Sequence, residues 1–184
     1  MRLSRRALVA LAALPAACSS PNPALYVLAP EPGAVRSGAP RTIEVRTISL
    51  ARYLERTQIV RSSEGYRMDI LSNEWWGEPL DSMMGRILVL ELSQRLPGST
   101  VYGDSSSISA RPDATVEINV QRFDLNRDGS VLLAAQIAVE GRQTKARGAL
   151  LTVRPADATT RALVGAMSAA TAQLADVIAG MLGR

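Results

Sequence analysis

Alternation of apolar and polar positions divides the chain into strand-like and helix-like stretches. In "RTIEVRTISL" (41–50), Ile43 and Val45 share one face and Glu44 and Arg46 the other, the period of a half-buried strand. "QIV" (58–60), a turn through Ser62–Gly65 and "YRMDI" (66–70) predict a hairpin. Tyr66, Met68 and Ile70 are expected to face inward, and Arg67 and Asp69 to face water. A short strand "STVYG" (99–103) and a loop "DSSSISARPD" (104–113) precede the strongest alternation. "TVEINVQRF" alternates through Val116, Ile118 and Val120. Past the turn "NRDG", "SVLLAAQIAVEG" alternates through Val131, Leu133, Ala135, Ile137 and Val139. "GALLTVRP" returns after the basic turn "GRQTKARG", which completes an antiparallel meander.

Two stretches switch to a helical period. Pro79 is placed to open the first at N1, with Asp81 in the first turn, where negative charge is favoured. Leu80, Met83, Met84, Ile87, Leu88, Leu90 and Leu92 predict its apolar face, and Pro97-Gly98 its end. The second helix starts at a Thr159 or Thr160 cap and repeats Leu163, Met167, Ala170, Leu174, Val177 and Met181. Seven or eight strands and two long helices predict an α/β (α+β) fold. The expected form is a mixed, largely antiparallel sheet with both helices packed on it.

The N-terminus carries an address rather than a fold. Arg2, Arg5 and Arg6 precede the apolar run Ala7 to Leu14, and the small residues Ala16 and Ala17 precede Cys18. This is the pattern of a secretory signal peptide, too short to span a bilayer. A cysteine at that place, followed by "SSPNP", also resembles the lipobox of bacterial lipoproteins, although Leu14 lies one place further from it than is usual. The expected division is a signal peptide over 1–17, a lipidated Cys18 with a proline-rich tether over 18–24, and one domain over 25–184. Within the domain's first residues "ALYVLAP" forms an apolar island suited to an edge strand. No later stretch reads as long and apolar enough to cross a membrane.

Charge and composition narrow the chemistry. The full chain carries 21 basic and 17 acidic residues, a formal +4. Loss of residues 1–17 removes three arginines and no acid, leaving 18 against 17, so the mature chain is nearly neutral. Such a balance gives no reason to expect nucleic acid as a partner. There is no histidine, and Cys18 is the only cysteine, so the usual general base and the common zinc-site ligands are missing. Cys18 has no intramolecular partner for a disulfide. The serines of "DSSSIS" lack a G-x-S-x-G setting, and Lys145 is the only lysine available to a serine–lysine pair. Asp124, Asn126, Asp128 and Gly129 begin like a calcium loop, but Ala135 stands where a bidentate glutamate is needed. A polar hairpin turn accounts for the same residues. The expectation is a protein without catalytic residues, metal or cofactor.

Several segments then carry a resemblance. "YVLAP" near the mature N-terminus, "YLERTQIVR" (Tyr53 to Arg61), "WGEPL" (Trp76 to Leu80) and a C-terminal apolar helix occur in that order. With the lipobox, they resemble the ABC-type transport auxiliary lipoproteins of the PqiC or YmbA type. Glu55 stands where that family usually has aspartate, Ala51 where proline is common, and Gly77 where alanine is common. The resemblance marks Tyr53, Leu54, Arg56, Arg61, Trp76, Glu78 and Pro79 as motif residues. It implies an α/β sandwich and an outer-membrane lipoprotein, anchored on the periplasmic face. The implied partners are an MCE-domain protein and inner-membrane transporter subunits, for lipid movement and envelope integrity. It also implies a homo-oligomeric ring that docks the MCE assembly. Two other readings stand beside it: an anchored scaffold or assembly factor of another envelope machine, and a direct lipid-binding carrier.

Trp75 and Trp76 are the only tryptophans. In an extended segment adjacent side chains point to opposite sides. Trp76 is expected to pack under the helix start, its indole N–H bonded to backbone. Trp75 is then the candidate for a subunit or partner contact.

Overall fold

The computed structural model describes residues 22–104 and 111–183. The expected leader, Cys18 and the serines at 105–107 lie outside the described residues. In chain order the elements are β1 (Ala24–Tyr26), β2 (Thr42–Val45), β3 (Ser49–Leu50), a 3-10 turn (Arg52–Leu54), β4 (Gln58–Ser62) and β5 (Asp69–Trp76). There follow α1 (Leu80–Arg95), β6 (Thr100–Gly103), β7 (Ala114–Leu125), β8 (Val131–Glu140), β9 (Lys145–Val153) and α2 (Thr160–Leu182).

The nine strands among the described residues form one mixed sheet. β7, β8 and β9 build the expected antiparallel meander, joined over most of their length. The opposite edge of β7 is shared by three short strands in succession, β2, β3 and β4, all parallel to it. β6 adds beside β2, and β5 and then β1 add beside β4. The long ladders are therefore antiparallel and the short ones mostly parallel.

Alternation predicts the buried face of the meander correctly. Val116, Ile118, Val120, Val131, Leu133, Ala135, Ile137 and Val139 are all buried. α2 packs over β8 and β9, while α1 packs beside it against β2 and β6. Thr159 caps α2, its hydroxyl accepting from the Ala162 N–H at 3.2 Å. The turn between β7 and β8 is the polar hairpin that its residues suggest. Gly129 has φ +77°, a left-handed conformation that other residues adopt at a cost. Asp128 accepts from both the Ser130 N–H and its hydroxyl.

Four expectations change. Tyr66 is fully exposed at φ +64°, Met68 is exposed and Ile70 only half-buried. The loop runs on to Met68, β5 starts at Asp69, and the pairing slips twice along β4, so the alternation has no sheet to face there. Pro79 is the N-cap of α1 rather than its first residue, while the helix ends as expected, with Leu96 as its C-cap immediately before Pro97. Leu90 is 44% exposed, whereas Glu91 and Arg95 are completely buried. Lastly, α2 is by length and composition apolar enough to cross a membrane, but 67% of its most apolar window is buried within the domain. It serves as a core helix.

The burial of Glu91 and Arg95 has a local cause: the segment after β1 runs as an extended strap along both helices. The Leu28 N–H meets Met83 Sδ at 3.1 Å, and the Ala29 N–H donates to Ser168 Oγ at 3.1 Å. The Glu31 N–H donates to Glu91 Oε1 at 2.8 Å, and the Arg36 N–H to the Arg95 carbonyl at 2.7 Å. Arg95 donates from Nε to Asp176 Oδ1 at 2.7 Å, from Nη1 to the Glu31 carbonyl at 3.2 Å and from Nη2 to the Ala172 carbonyl at 3.1 Å. A Cβ on Gly33 would land on this guanidinium, so any larger residue there would have to displace Arg95. One arginine thus joins strap, α1 and α2.

Glu91 Oε2 is buried without a partner. Burial raises the Glu91 pKa to about 7, helped by the neighbouring Glu31 and Asp176 carboxylates and opposed by the Glu31 N–H and the Arg95 guanidinium. The folded protein therefore binds this proton more tightly than the unfolded chain does. Its contribution is complete below the ordinary value of 4.5 and is lost as pH rises towards about 7. Urea unfolding across that window should show stability falling with pH, by on the order of 1–3 kcal/mol from this group. Glu91→Gln should flatten that fall; an unchanged slope would count against the assignment.

Candidate functional site

The two strongest motif segments lie about twenty positions apart in sequence and converge in space. Glu55, Arg56 and Thr57, after the 3-10 turn, form one wall of a crevice of about 720 Å3. Trp76, Gly77, Glu78, Pro79 and Leu80, between β5 and α1, form the opposite wall. Thr47, Ile48, Ser49 and Leu50 close the third side. The convergence follows from the pairing of β4 with β5: Gln58 is opposite Trp75, and the Trp76 N–H donates to the Thr57 carbonyl at 2.7 Å.

Each motif residue has a definable place. Leu54 and Trp76 are buried in the core, so the crevice floor is held by packed side chains. Arg56 Nε donates to the Tyr53 carbonyl at 2.9 Å, which folds the arginine back over the turn. Glu78, just before α1, pairs with Arg86 on the helix surface. Pro79 has a helix-opening conformation, and its carbonyl accepts from the Met83 N–H at 3.0 Å. Glu55 is exposed beside the crevice, and Asp81 adds a carboxylate in the first turn of α1. The result is an apolar floor of Ile48, Leu50, Trp76 and Leu80 with a rim carrying Glu55, Glu78, Asp81 and Arg56.

Tyr53 and Arg61 do not line the crevice. Tyr53 instead closes a polar cluster around Asp124, which is completely buried. Asp124 accepts from the Tyr53 hydroxyl at 2.9 Å, the Ser63 hydroxyl at 2.6 Å and Arg122 Nε at 2.8 Å. Arg122 also pairs with Glu64 at 2.7 Å, and Glu64 with Arg127 at 3.0 Å. Burial, reinforced by the Asp124 charge, pushes the Tyr53 hydroxyl up to about 12, so it remains a proton donor throughout the useful pH range. The cluster fastens the 3-10 turn and the β4–β5 loop to β7. It explains the motif tyrosine as a positioning residue for the crevice wall that follows it. Locally Asp124 belongs to the hairpin turn, and the 71 positions that separate it from Tyr53 hide this partnership from the sequence.

The tryptophans divide as alternation requires. Trp76 is 5% exposed, while Trp75 is half-buried on the opposite face. The indole–backbone bond belongs to Trp75, whose Nε1 donates to the Ser72 carbonyl at 3.1 Å. Lys145 starts β9 rather than lying in a turn, and its ammonium donates to the Met181 carbonyl at 2.9 Å, near the C-terminus of α2. Among the described residues no group of three acidic, histidine or cysteine side chains is arranged to hold a metal. A second depression, of about 750 Å3, opens on the outer face of the sheet between Arg46, Glu117, Asn119, Gln136 and Arg147. It contains none of the motif residues.

Known proteins resemble this chain in sequence and in fold. Residues 26–179 fit the sequence model of a family described as an ABC-type transport auxiliary lipoprotein component. Over 96 residues the chain is 28% identical to the intermembrane transport lipoprotein PqiC of Escherichia coli K12. PqiC of Shigella flexneri matches equally. Those alignments cover 52% of this chain and 50% of each relative, so the chain spans about half the length of the curated relatives it matches. A crystal structure of an uncharacterized protein superposes with a TM-score of 0.74 at 22% identity, covering 88% of this chain and 99% of the other. A Xanthomonas campestris protein superposes with a TM-score of 0.69 at 14% identity, covering 86% and 94%. These likenesses show a shared fold.

Proposed function

The chain belongs to the ABC-type transport auxiliary lipoprotein family, and from that premise we propose that it is the anchored docking subunit of an intermembrane lipid transport system. In this reading Cys18 is acylated and holds the domain on the periplasmic face of the outer membrane. The domain receives an MCE-domain protein, which connects to inner-membrane transporter subunits, and several copies assemble as a ring. No catalytic step is assigned to it. It acts by binding.

The observation that carries the reading is the convergence of the two motif segments on one crevice, with an apolar floor and a charged rim. Pockets of this kind bind through a buried apolar anchor, oriented by a few polar groups. Glu55 and Asp81 favour a partner segment that carries a basic residue beside its apolar anchor. The relatives' description as intermembrane transport lipoproteins supports the same direction.

Retention of the MCE-domain protein by the acylated chain tests the reading. Glu55→Lys should weaken retention about tenfold, as loss of one interfacial charge pair worth ~1.4 kcal/mol does. Because Glu55 is exposed, thermal stability should stay nearly unchanged. Unaltered retention would remove the crevice from the docking site, and no retention by the unmodified protein would remove the partner. The apolar floor also supports a second reading, direct contact with a lipid chain. Native mass spectrometry showing a co-purified phospholipid would favour it.

A further inference from the structure

Leu25 and Val27 are large apolar side chains left 65% and 57% exposed on the first strand and the residue after it. The core does not need them: Tyr26 packs against it and Leu28 is buried in it, so the alternate positions already supply the inward face. On the outward face Leu25 stands in register with Trp75, and Trp75 stands opposite Gln58 on the next strand. Gly77 extends the row beside Val27, where even a Cβ would come within 3.1 Å of the valine. The row is thus apolar or uncharged across three strands. Trp75 has its indole N–H satisfied by the Ser72 carbonyl and needs no polar partner from outside.

The sequence beside this row is as unusual as its exposure. From Ser19 to Pro30 there is no charged residue, and Glu31 is the first. Cys18 lies six positions before Ala24. A chain extends by at most ~3.3–3.6 Å per residue, so the strand begins within about 20 Å of the cysteine. Acyl chains on Cys18 would hold this face close to the headgroup layer, and tryptophan favours that boundary.

We propose that Leu25, Val27 and Trp75 form a second, non-covalent contact with the phospholipid surface in which the Cys18 anchor is embedded. This inference rests on the acylation of Cys18 and goes beyond it, because it gives the domain an orientation. β1 lies against the bilayer. The contact is apolar, so it does not depend on ionic strength as a polybasic patch does.

The test uses the acylated full chain in phosphatidylethanolamine–phosphatidylglycerol vesicles containing lipids brominated at shallow acyl positions. Trp76 is buried in the core, so the quenchable emission should come from Trp75. The expected result is quenching in the unmodified protein that persists at high salt, is reduced in Leu25→Ser/Val27→Ser and is lost in Trp75→Phe. Flotation with the vesicles without quenching would overturn the contact while leaving the anchor intact. Absence of flotation would overturn the anchor reading, and this inference with it. Quenching that disappears at high salt would overturn the apolar contact. Shielding of Trp75 only on addition of an MCE-domain protein, or of further copies of this chain, would assign the row to a protein partner instead.

Discussion

Arg95→Met should destabilise the protein by about 2–4 kcal/mol, since the carbonyls that Arg95 now bonds would be left without a donor while Asp176, 43% exposed, stays hydrated. Arg95 is completely buried, and its side chain contacts the strap, α1 and α2. Methionine fills much of the space but supplies no donor. The Glu31 and Ala172 carbonyls would lose the bonds they now receive, and Glu91 would lose its neighbouring positive charge. The melting temperature should fall by on the order of 10 °C for a domain of this size. A double-mutant cycle separates the causes. Above pH 7, where Glu91 is ionised, Arg95→Met with Glu91→Gln should cost less than the two changes added, because the neutral amide no longer needs the guanidinium. Additive effects would show that the two side chains act independently. A small effect of Arg95→Met alone would show that the strap is held by packing and not by this arginine.

Cys18→Ala should have the largest functional effect, a complete transfer of the protein from the membrane fraction to the soluble periplasmic fraction. Each buried methylene of an acyl chain contributes ~0.8 kcal/mol, so two or three chains bind almost irreversibly where one is marginal. Leu25, Val27 and Trp75 offer far less apolar area than those chains. They orient an anchored domain but do not replace the anchor. The soluble variant should remain folded, since the described core begins after the tether, and should fail to restore resistance to membrane-perturbing agents. Retained outer-membrane fractionation would overturn the acylation assignment.

The sequence conveyed the sheet better than it conveyed the helix surfaces. In β7 and β8 one face is buried and the other open, so a period of two maps directly onto inside and outside. The same inference fails at Tyr66–Met68, where the residues alternate but the chain is still in the loop before β5 starts at Asp69. In α1 the apolar stripe places Leu90 inside and Glu91 and Arg95 outside, the reverse of their burial in the fold. Local pattern treats a charged residue as facing water. It cannot register that residues 28–36 return over the helix and replace that water.

For the candidate site, both walls were visible as separate motifs, and the opposite directions of Trp75 and Trp76 followed from strand geometry alone. Their joining was not visible. It depends on β4 pairing with β5 with two register slips, which brings Thr57 onto Trp76. Nor did the motif tyrosine's partner show in the sequence, since Asp124 belongs to a distant hairpin with a sufficient turn explanation of its own.

By itself, then, the order of residues determined which faces of the meander are apolar, that α2 is capped at Thr159 or Thr160, and that histidine chemistry is absent. Those properties depend on neighbours a few positions apart, within the reach of backbone geometry. Tertiary structure alone decided that two motifs share one crevice and that Glu91 and Arg95 belong to the interior. It also decided that Leu25, Val27 and Trp75 lie together on an open face. Each of these depends on contacts between segments some 20 to 80 positions apart, where burial is set by what covers a side chain and not by the local period that carries it.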